Sequence, residues 1–503
     1  MIDALLEGLL LVLQWKAFSF MLLGIGIGFW VGLLPGLGGV TTLALLLPFI
    51  YAMKPVEGFA FLLGMHSVVA TTGDITSVLF GIPGEGTTAA TILDGHAMAK
   101  KGEAGRALGA ALASSLVGAL VGAAALALAI PVVRPLVLAF GSPELFMIAI
   151  VGIAFIASLS AQGGRGMLRG FLAGGVGLLV AMVGQDPQAG IARFTFDSLY
   201  LWSGLDLVPV LIGIFAIPEI IDLVVRGTSI AGDMPKGRLN QGALEGVKDT
   251  FRHFWLTIRC SLIGTFIGIM PGLGGAVAQW LAYGHAAQSA RNAEERQGFG
   301  RGDVRGVLGP GAANNSKEGG ALIPTVAFGV PGSSSMAVLL GGFFLLGLVP
   351  GPDMLTTHLT VTFSMVWTIV VANIITVVVC FLFLNHLARL TLVRGHFLIP
   401  VILVLIFIGS YSSNNHYGDL LLMLFFGALG YLMVAGGWPR APFVLGLVLG
   451  KIVENYLYIS VARYDAAWLT RPIVLVLIAL AIAVMLYPLI QARRIRSRSE
   501  KHA

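Results

Sequence analysis

Two asparagines, a lysine and a glutamate stand close together in the strongly apolar stretch 309–352. Asn314 and Asn315 each offer amide donors and a carbonyl acceptor, and Lys317 offers a cation for a carboxylate. Polar and charged groups at membrane depth are costly, so they indicate a functional site by default. These residue types predict a binding site for a small organic anion. The alternatives are hydrogen bonding between helices for the asparagines, and pairing with Glu318 or extension to the membrane interface for Lys317.

Prolines and glycines recur through the same stretch and predict a broken helix rather than one plain membrane helix. Proline removes a backbone donor and clashes with the preceding turn, while glycine adopts dihedrals that other residues avoid. Irregular backbone survives at membrane depth only where protein buries it or where it lines a wet cavity. The residues concerned are Pro310, Gly311, Gly319, Gly320, Pro324, Gly329, Pro331 and Gly332.

Four Pro-Gly pairs interrupt apolar sequence, and each is followed by a segment that can restart a helix. Free N–H groups and the helix dipole make such starts suitable for anions, and hydroxyls there either cap the helix or contact the ligand. The opposite ends of the breaks expose carbonyl oxygens that suit Na⁺. The pairs are Pro35-Gly36, Pro83-Gly84, Pro271-Gly272 and Pro331-Gly332, and the hydroxyls that follow three of them are Thr41, Thr42, Thr87, Thr88, Ser333, Ser334 and Ser335.

Two sets of candidate site residues follow from these patterns. Asp74 and Glu85 flank the first break of the Pro83-Gly84 type, where each could hold a cation, take up a proton or cap a helix. The predicted ligands of a coupling cation, Na⁺ or H⁺, are Asp74, Glu85, Gly36 and Gly272. The predicted substrate-binding residues are Asn314, Asn315, Lys317, Ser333, Ser334, Ser335, Gly332, Gly84, Thr87, Thr88, Thr41 and Thr42. The sequence predicts no catalytic site, no metal site and no organic cofactor.

The composition is that of a membrane protein. Of 503 residues, 57% are hydrophobic and 11% are charged, and the mean hydropathy is +0.90, whereas soluble domains average about 25% charged residues. The net charge of +6 does not indicate nucleic-acid binding, because the basic residues lie mainly in short loops and in the tail. No G-x-x-x-x-G-K-[ST] motif is present, so the energy for transport is expected from an ion gradient or from a separate protein.

Apolar runs long enough to cross a bilayer, roughly 17–25 residues, recur along the chain. They lie at 17–34, 107–131, 144–160, 171–186, 206–225, 253–270, 355–384, 397–413, 419–435, 441–459 and 472–490. The regions 35–100 and 271–350 are apolar but broken, and are expected to form hairpins, half-helices or re-entrant loops. The chain is therefore predicted to be an all-α polytopic membrane protein with about 10–12 spans plus re-entrant or broken helices.

Basic residues in short loops predict which side of the membrane each loop faces. The basic tail, the linker 227–250 and the loops around Arg389 and Arg165 all fall on the cytoplasmic side when the spans are counted backwards. The predicted units are a first repeat (1–226), a cytoplasmic linker (227–250), a second repeat (251–471), and an extra helix with a basic cytoplasmic tail (472–503).

Two motifs occur in the same order in both halves of the chain. GLLPGLGG at 32–39 matches GIMPGLGG at 268–275, and FGIPGEGTTAA at 80–90 matches FGVPGSSSMAV at 328–338. After the first motif pair the chain leaves on the predicted cytoplasmic side, and after the second it leaves on the opposite side. The pattern predicts two inverted structural repeats, as in secondary transporters whose site lies near the midplane.

The motif set resembles the large membrane subunit of tripartite tricarboxylate transporters. The likeness is carried by PGLGG, by GIPGEGTTAATILDGHAMAKKGEAGRALG, and by ANN…GVPGSSSMAVLL…GLVPGP. It implies a permease of the bacterial inner membrane that works with a small four-helix membrane subunit and a periplasmic solute-binding protein, and takes up carboxylates with an ion gradient. The sequence departs from the family pattern at Gly311, at Lys317-Glu318 and at 71–77, all near the predicted site.

Two other functions remain open from the sequence. One is a self-sufficient transporter or channel that needs no binding protein. The other is a membrane-embedded enzyme that uses His66, Asp74 or His285, although these residues form no recognisable catalytic motif. Neighbouring genes for a secreted binding protein and a small membrane protein would distinguish the first alternative from a tripartite system.

Overall fold

The computed structural model describes residues 1–33, 38–159, 164–186, 188–226, 242–271, 274–390 and 398–499. Within these ranges the chain is all-α, apart from two strands of two residues each, β1 (Gly184–Gln185) and β2 (Ala192–Arg193), which pair antiparallel. The predicted all-α class is confirmed. Pro35, Gly36, Gly272 and most of the predicted linker lie outside the described residues.

The described residues up to 252 contain eleven α-helices. The last of them, residues 243–252, begins inside the predicted linker 227–250. The eleven helices are α1 (Ile2–Leu13), α2 (Trp15–Gly32), α3 (Gly39–Leu46), α4 (Pro55–Phe80), α5 (Ala89–Lys100), α6 (Ala104–Leu138), α7 (Ser142–Leu159), α8 (Gly164–Ala181), α9 (Leu207–Leu211), α10 (Ile217–Arg226) and α11 (Ala243–Arg252). A π-helical turn, Ile212–Ala216, joins α9 to α10.

The second half also contains both long and short helices. Its elements are α12 (Phe254–Ile269), α13 (Gly274–Gln288), α14 (Ala293–Gln297), α15 (Arg305–Phe328), α16 (Ser334–Leu345), α17 (Leu359–Leu390), α18 (Leu398–Tyr411), α19 (Tyr417–Ala435), α20 (Arg440–Tyr464) and α21 (Pro472–Ser499). A helix overlaps each apolar run that the sequence predicted to span the membrane.

Five helices of the described residues are both long enough and apolar enough to cross a membrane. They begin at Trp15, Ala104, Leu359, Tyr417 and Arg440. Shorter apolar helices, among them α3, α12 and α16, lie between them. The protein is therefore a multi-pass membrane protein in which full-length helices alternate with shorter ones.

The structure corrects the prediction that prolines break the helix throughout 309–352. Residues 305–328 form one continuous helix, α15, with Pro310 and Pro324 inside it. Membrane helices tolerate such prolines because neighbouring helices, hydroxyl side chains and local backbone adjustments satisfy the freed backbone groups. The break comes later, at Gly329, whose φ of 68° is the left-handed conformation that glycine adopts without strain.

Glycine contacts hold α15 and α4 tightly between their neighbours. A Cβ atom added at Gly118 of α6 would overlap the Ala312 carbonyl of α15, and one at Gly264 of α12 would lie 2.5 Å from the Ala313 carbonyl oxygen. On the other side, a Cβ atom at Gly28 of α2 would lie 2.6 Å from the Met65 carbonyl oxygen of α4. Small residues allow such close approach between membrane helices.

Helices of the two halves pack in an exchanged manner. In the first half, α4 packs against α2 and against α17 of the second half. In the second half, α15 packs against α12 and against α6 of the first half. The main hydrophobic core accordingly combines residues from both halves, and α4 and α15 contact each other near their centres.

Candidate functional site

Asn314 and Asn315 connect three helices at the centre of the molecule. Asn314 Nδ2 donates to the Ala70 carbonyl of α4 at 2.8 Å, and Asn315 Nδ2 donates to Thr71 Oγ1 at 2.8 Å and to Asn373 Oδ1 of α17 at 2.7 Å. Both side chains are buried, and their Oδ1 atoms have no hydrogen-bond partner among the described residues. The asparagines thus hydrogen-bond between helices and still offer two buried acceptor oxygens.

Lys317, Glu318 and His66 form a buried charged group beside these asparagines. The Lys317 ammonium contacts Glu318 Oε1, and Glu318 Oε2 lies 3.1 Å from His66 Nε2 of α4. None of the three side chains is more than 7% exposed. The pairing of Lys317 with Glu318 is therefore present, and the Lys317 side chain is buried within the protein. We name these three residues the charged triad.

The charged triad contacts the beginnings of two short helices. A Cβ atom added at Gly275, in the first turn of α13, would overlap the Lys317 side chain and lie 2.6 Å from Thr87 Cγ2. A Cβ atom added at Gly39, in the first turn of α3, would lie 2.8 Å from His66 Nδ1. The lack of side chains at these two glycines lets both helix starts approach the triad.

Glu85 stands at the same place and caps α3 from outside that helix. Its Oε1 accepts a hydrogen bond from the Gly39 backbone N–H at 2.7 Å, and its Oε2 accepts one from Thr87 Oγ1 at 3.0 Å. A carboxylate stabilises a helix start because it satisfies a free N–H group and complements the dipole. Capping, one of the roles predicted for Glu85, is thus present, while cation binding at Glu85 stays a prediction.

The break between α4 and α5 is tightly packed. Gly81 ends α4 with a φ of 68°, and a Cβ atom added at Gly84 would lie 2.6 Å from both Gly73 Cα and Thr76 Oγ1. The Thr88 hydroxyl accepts from Ser77 Oγ at 2.8 Å. Thr88 therefore ties the break to α4, while Thr87 faces Glu85.

The break between α15 and α16 lies close to α12 and to the part of α15 that follows the charged triad. A Cβ atom added at Gly332 would overlap the Gly268 carbonyl and lie 2.7 Å from Ala321 Cα, one turn after Lys317. Ser333 Oγ caps α16 by accepting from the Met336 backbone N–H at 3.3 Å. Ser334 and Ser335 occupy the first turn of that helix.

The remaining candidates lie on either side of this centre. Thr41 and Thr42 are buried in the first turns of α3, and Thr42 Oγ1 donates to the Gly38 carbonyl at 3.2 Å. Asp74 of α4 is 1% exposed, and both its carboxylate oxygens lack hydrogen-bond partners in the described part of the chain. Gly36 and Gly272 lie outside the described residues.

Sequence reasoning left three buried polar residues out of the substrate and cation sets. His66 and Glu318 belong to the charged triad, and Gln279 of α13 is fully buried with both amide atoms unpartnered in the described structure. The repeat provides a signal for His66, because alignment of the FGIPG and FGVPG motifs places it opposite Asn314. No comparable signal marks Gln279.

The geometry defines a multi-pass helical membrane protein in which interrupted helices meet around a closed, charged centre. A family model described as "Tripartite tricarboxylate transporter TctA family" matches residues 18–445. The chain therefore belongs to the TctA family of tripartite tricarboxylate transporters, and its family is one of transporters rather than enzymes.

Two proteins from Agrobacterium vitis are similar to this chain in sequence. An "uncharacterized 52.8 kDa protein in TAR-I ttuC' 3'region" is 32% identical over 482 residues, which cover 95% of this chain and 94% of the relative. An "uncharacterized protein in TAR-II ttuC' 3'region" is 30% identical over 241 residues, which cover 47% of this chain and 98% of the relative. No solved structure matches the chain.

Proposed function

We propose that the protein is the large membrane subunit of a symporter that takes up small carboxylates across the bacterial inner membrane. The substrate class is a di- or tricarboxylate or a related organic anion. The observation that carries this proposal is the Lys317 ammonium, buried where interrupted helices meet and already paired with a carboxylate, that of Glu318.

The surroundings of Lys317 favour a substrate with more than one carboxylate. An ammonium in reduced dielectric attracts a carboxylate far more strongly than it does at a water-exposed surface. The starts of α3 and α13 bring helix N-termini to the same place, and N-termini favour anions. Asn314 lies three residues before Lys317 and so on the same side of α15. We propose that Asn314 and Asn315 contact the polar groups of a bound anion.

The coupling cation is proposed to be Na⁺ or H⁺, held near Asp74 and Glu85. Asp74 is buried without a hydrogen-bond partner among the described residues, and an isolated buried carboxylate either binds a cation or takes up a proton. Gly36 and Gly272 are proposed to contribute carbonyl oxygens, as the ends of interrupted helices do in other transporters.

We also propose an inverted-repeat organisation. The helix order α2–α3–α4–α5 corresponds to α12–α13–α15–α16, and the packing of α4 on α17 and of α15 on α6 is an exchange that a two-fold relation between the halves would produce. The two-fold axis is proposed to lie in the membrane plane, as in other transporters with inverted repeats. The proposed units are 1–226 and 251–471, joined by the linker 227–250 and followed by 472–503.

Family membership supports three proposed partners. They are a small four-helix membrane subunit, a periplasmic solute-binding protein that delivers the anion, and the surrounding membrane lipids. A self-sufficient transporter is the alternative that the experiment below distinguishes.

Uptake of labelled carboxylates by whole cells tests the proposal. Cells without carboxylate uptake of their own would express this chain with a binding protein and a small membrane subunit of the same family from the same genome, and then with each component omitted. We expect accumulation of a di- or tricarboxylate that requires all three components and is lost when the Na⁺ and proton gradients are collapsed. Uptake by this chain alone would establish a self-sufficient transporter, and absence of uptake of every acid tested would overturn the proposal.

A further inference from the structure

We propose that His66 takes up one proton each time a substrate carboxylate binds Lys317, because the substrate displaces Glu318 from the lysine. This inference rests on the proposed carboxylate transport and adds a residue that links substrate to proton. The proton-binding atom is assigned to His66 Nε2, which faces Glu318 across 3.1 Å.

The two oxygens of Glu318 face different partners. Oε1 contacts the Lys317 ammonium, and Oε2 faces the His66 imidazole. Glu318 therefore does not need to move far to exchange a lysine partner for a histidine partner. The same geometry leaves Lys317 able to receive a carboxylate of the substrate in place of the carboxylate of Glu318.

Charge balance makes the exchange depend on a proton. With neutral His66, Lys317 and Glu318 cancel each other in the empty site. A substrate carboxylate on Lys317 leaves the Glu318 charge without compensation, and a buried charge that has lost its partner is strongly destabilising. One proton on His66 restores the balance, since the imidazolium then pairs with Glu318.

Three charged side chains of the described residues lie around His66. Lys317 and Glu318 face it from α15, and Glu85 faces it from the loop between α4 and α5. Glu85 is already engaged, because it accepts from the Gly39 N–H and the Thr87 hydroxyl. Both ring nitrogens of His66, by contrast, have no hydrogen-bond partner within the described ranges, and Nε2 is the one that faces Glu318.

The proton follows the substrate through the transport cycle. It comes from the solution on the side where the substrate enters and binds Nε2 of neutral His66. It leaves from the same nitrogen on the other side, when the substrate departs and Glu318 returns to Lys317. The balance is one proton per substrate at this centre, with no other bond formed or broken.

Proton uptake on binding is measured with the purified complete transporter and the acid that whole-cell uptake identifies. Calorimetric titration in two buffers of different ionisation enthalpy gives the number of protons bound per substrate. We expect about one for the wild type, and a dissociation constant that rises about tenfold per pH unit once the empty site holds neutral His66.

Two variants separate His66 from other proton sites. His66→Gln should bind substrate without proton uptake and without the pH dependence, whereas Ser67→Ala, a neighbouring buried residue, should behave as wild type. Retention of proton uptake in His66→Gln would place the proton on another residue and would overturn the proposal.

Glu318→Gln provides a second test that does not depend on the stability of the histidine variant. The neutral amide of this variant leaves no charge to compensate when the substrate occupies Lys317, so binding should again proceed without proton uptake. A Glu318→Gln protein that still takes up one proton would contradict the exchange. If the wild type accumulates no carboxylate at all, the proposed function itself fails. If it accumulates one without proton uptake at His66, only this inference fails.

Discussion

The break after α4 and the break after α15 have similar backbone conformations but differ in charge. Gly81 and Gly329 end their helices with the same φ of 68°, and Glu85 and Ser333 begin the next turn with extended dihedrals. Ser333 caps its own helix, whereas Glu85 reaches across to cap α3. The first break therefore brings a negative charge to the centre, and the second brings a neutral hydroxyl.

The long helices before these breaks also differ in charge, but here the additional charged residues lie in the second half. Helix α15 carries Lys317 and Glu318, while the positions of α4 that align with them through the FGIPG and FGVPG motifs are Val69 and Ala70. The comparison shows that two breaks with similar backbone conformations have different charged side chains around them. In the proposed function, the cation for a substrate anion is Lys317 on α15, and the carboxylates for a coupling cation are Asp74 on α4 and Glu85 in the break that follows it.

A side chain added at either of the matching glycines of the two breaks should have the largest effect on transport. Gly84→Val and Gly332→Val should each abolish transport, because a Cβ atom at either position would come within 2.6 Å of neighbouring backbone. Gly284→Val is the control, since a Cβ atom there would meet nothing within 4 Å. Uptake normalised to membrane-inserted protein measures the effect. Normal transport by either break variant would show that the close packing of the breaks is not needed.

Charge at the first break should have a smaller, more specific effect. Glu85→Gln keeps an oxygen for the Gly39 N–H but removes the charge, so the Na⁺ or proton concentration for half-maximal uptake should rise about tenfold or more. Ser333→Ala removes only a cap, worth about 1 kcal/mol of stability, and should leave cation dependence unchanged. Equal cation dependence in the two variants would contradict the difference between the breaks.

Sequence patterns were sufficient for the apolar helices and for Asn314, Asn315 and Lys317 as polar residues of interest, but not for the contacts that these residues make with His66 and Glu318. Hydrophobic runs predict helices because backbone groups in lipid must be satisfied within the segment. Pro310 and Pro324 were misleading, since both lie inside the continuous helix α15, which packs closely on glycines of α6 and α12. The long stretch of chain between His66 and Glu318 likewise hides a contact that only packing of α4 on α15 creates.

Replacement of the buried cation is the most direct test of the central claim, that Lys317 binds a carboxylate of the substrate. Lys317→Met keeps the length of the apolar side chain but removes the ammonium, and Lys451→Met, at a position that contacts the Ser203 carbonyl, is the matched control. Both variants would be assayed for uptake of mono-, di- and tricarboxylates, normalised to membrane-inserted protein. We expect Lys317→Met to raise the concentration for half-maximal uptake, and to do so more for multiply charged acids than for monocarboxylates. Unchanged half-maximal concentrations across all three classes would contradict the account and exclude Lys317 from the substrate site.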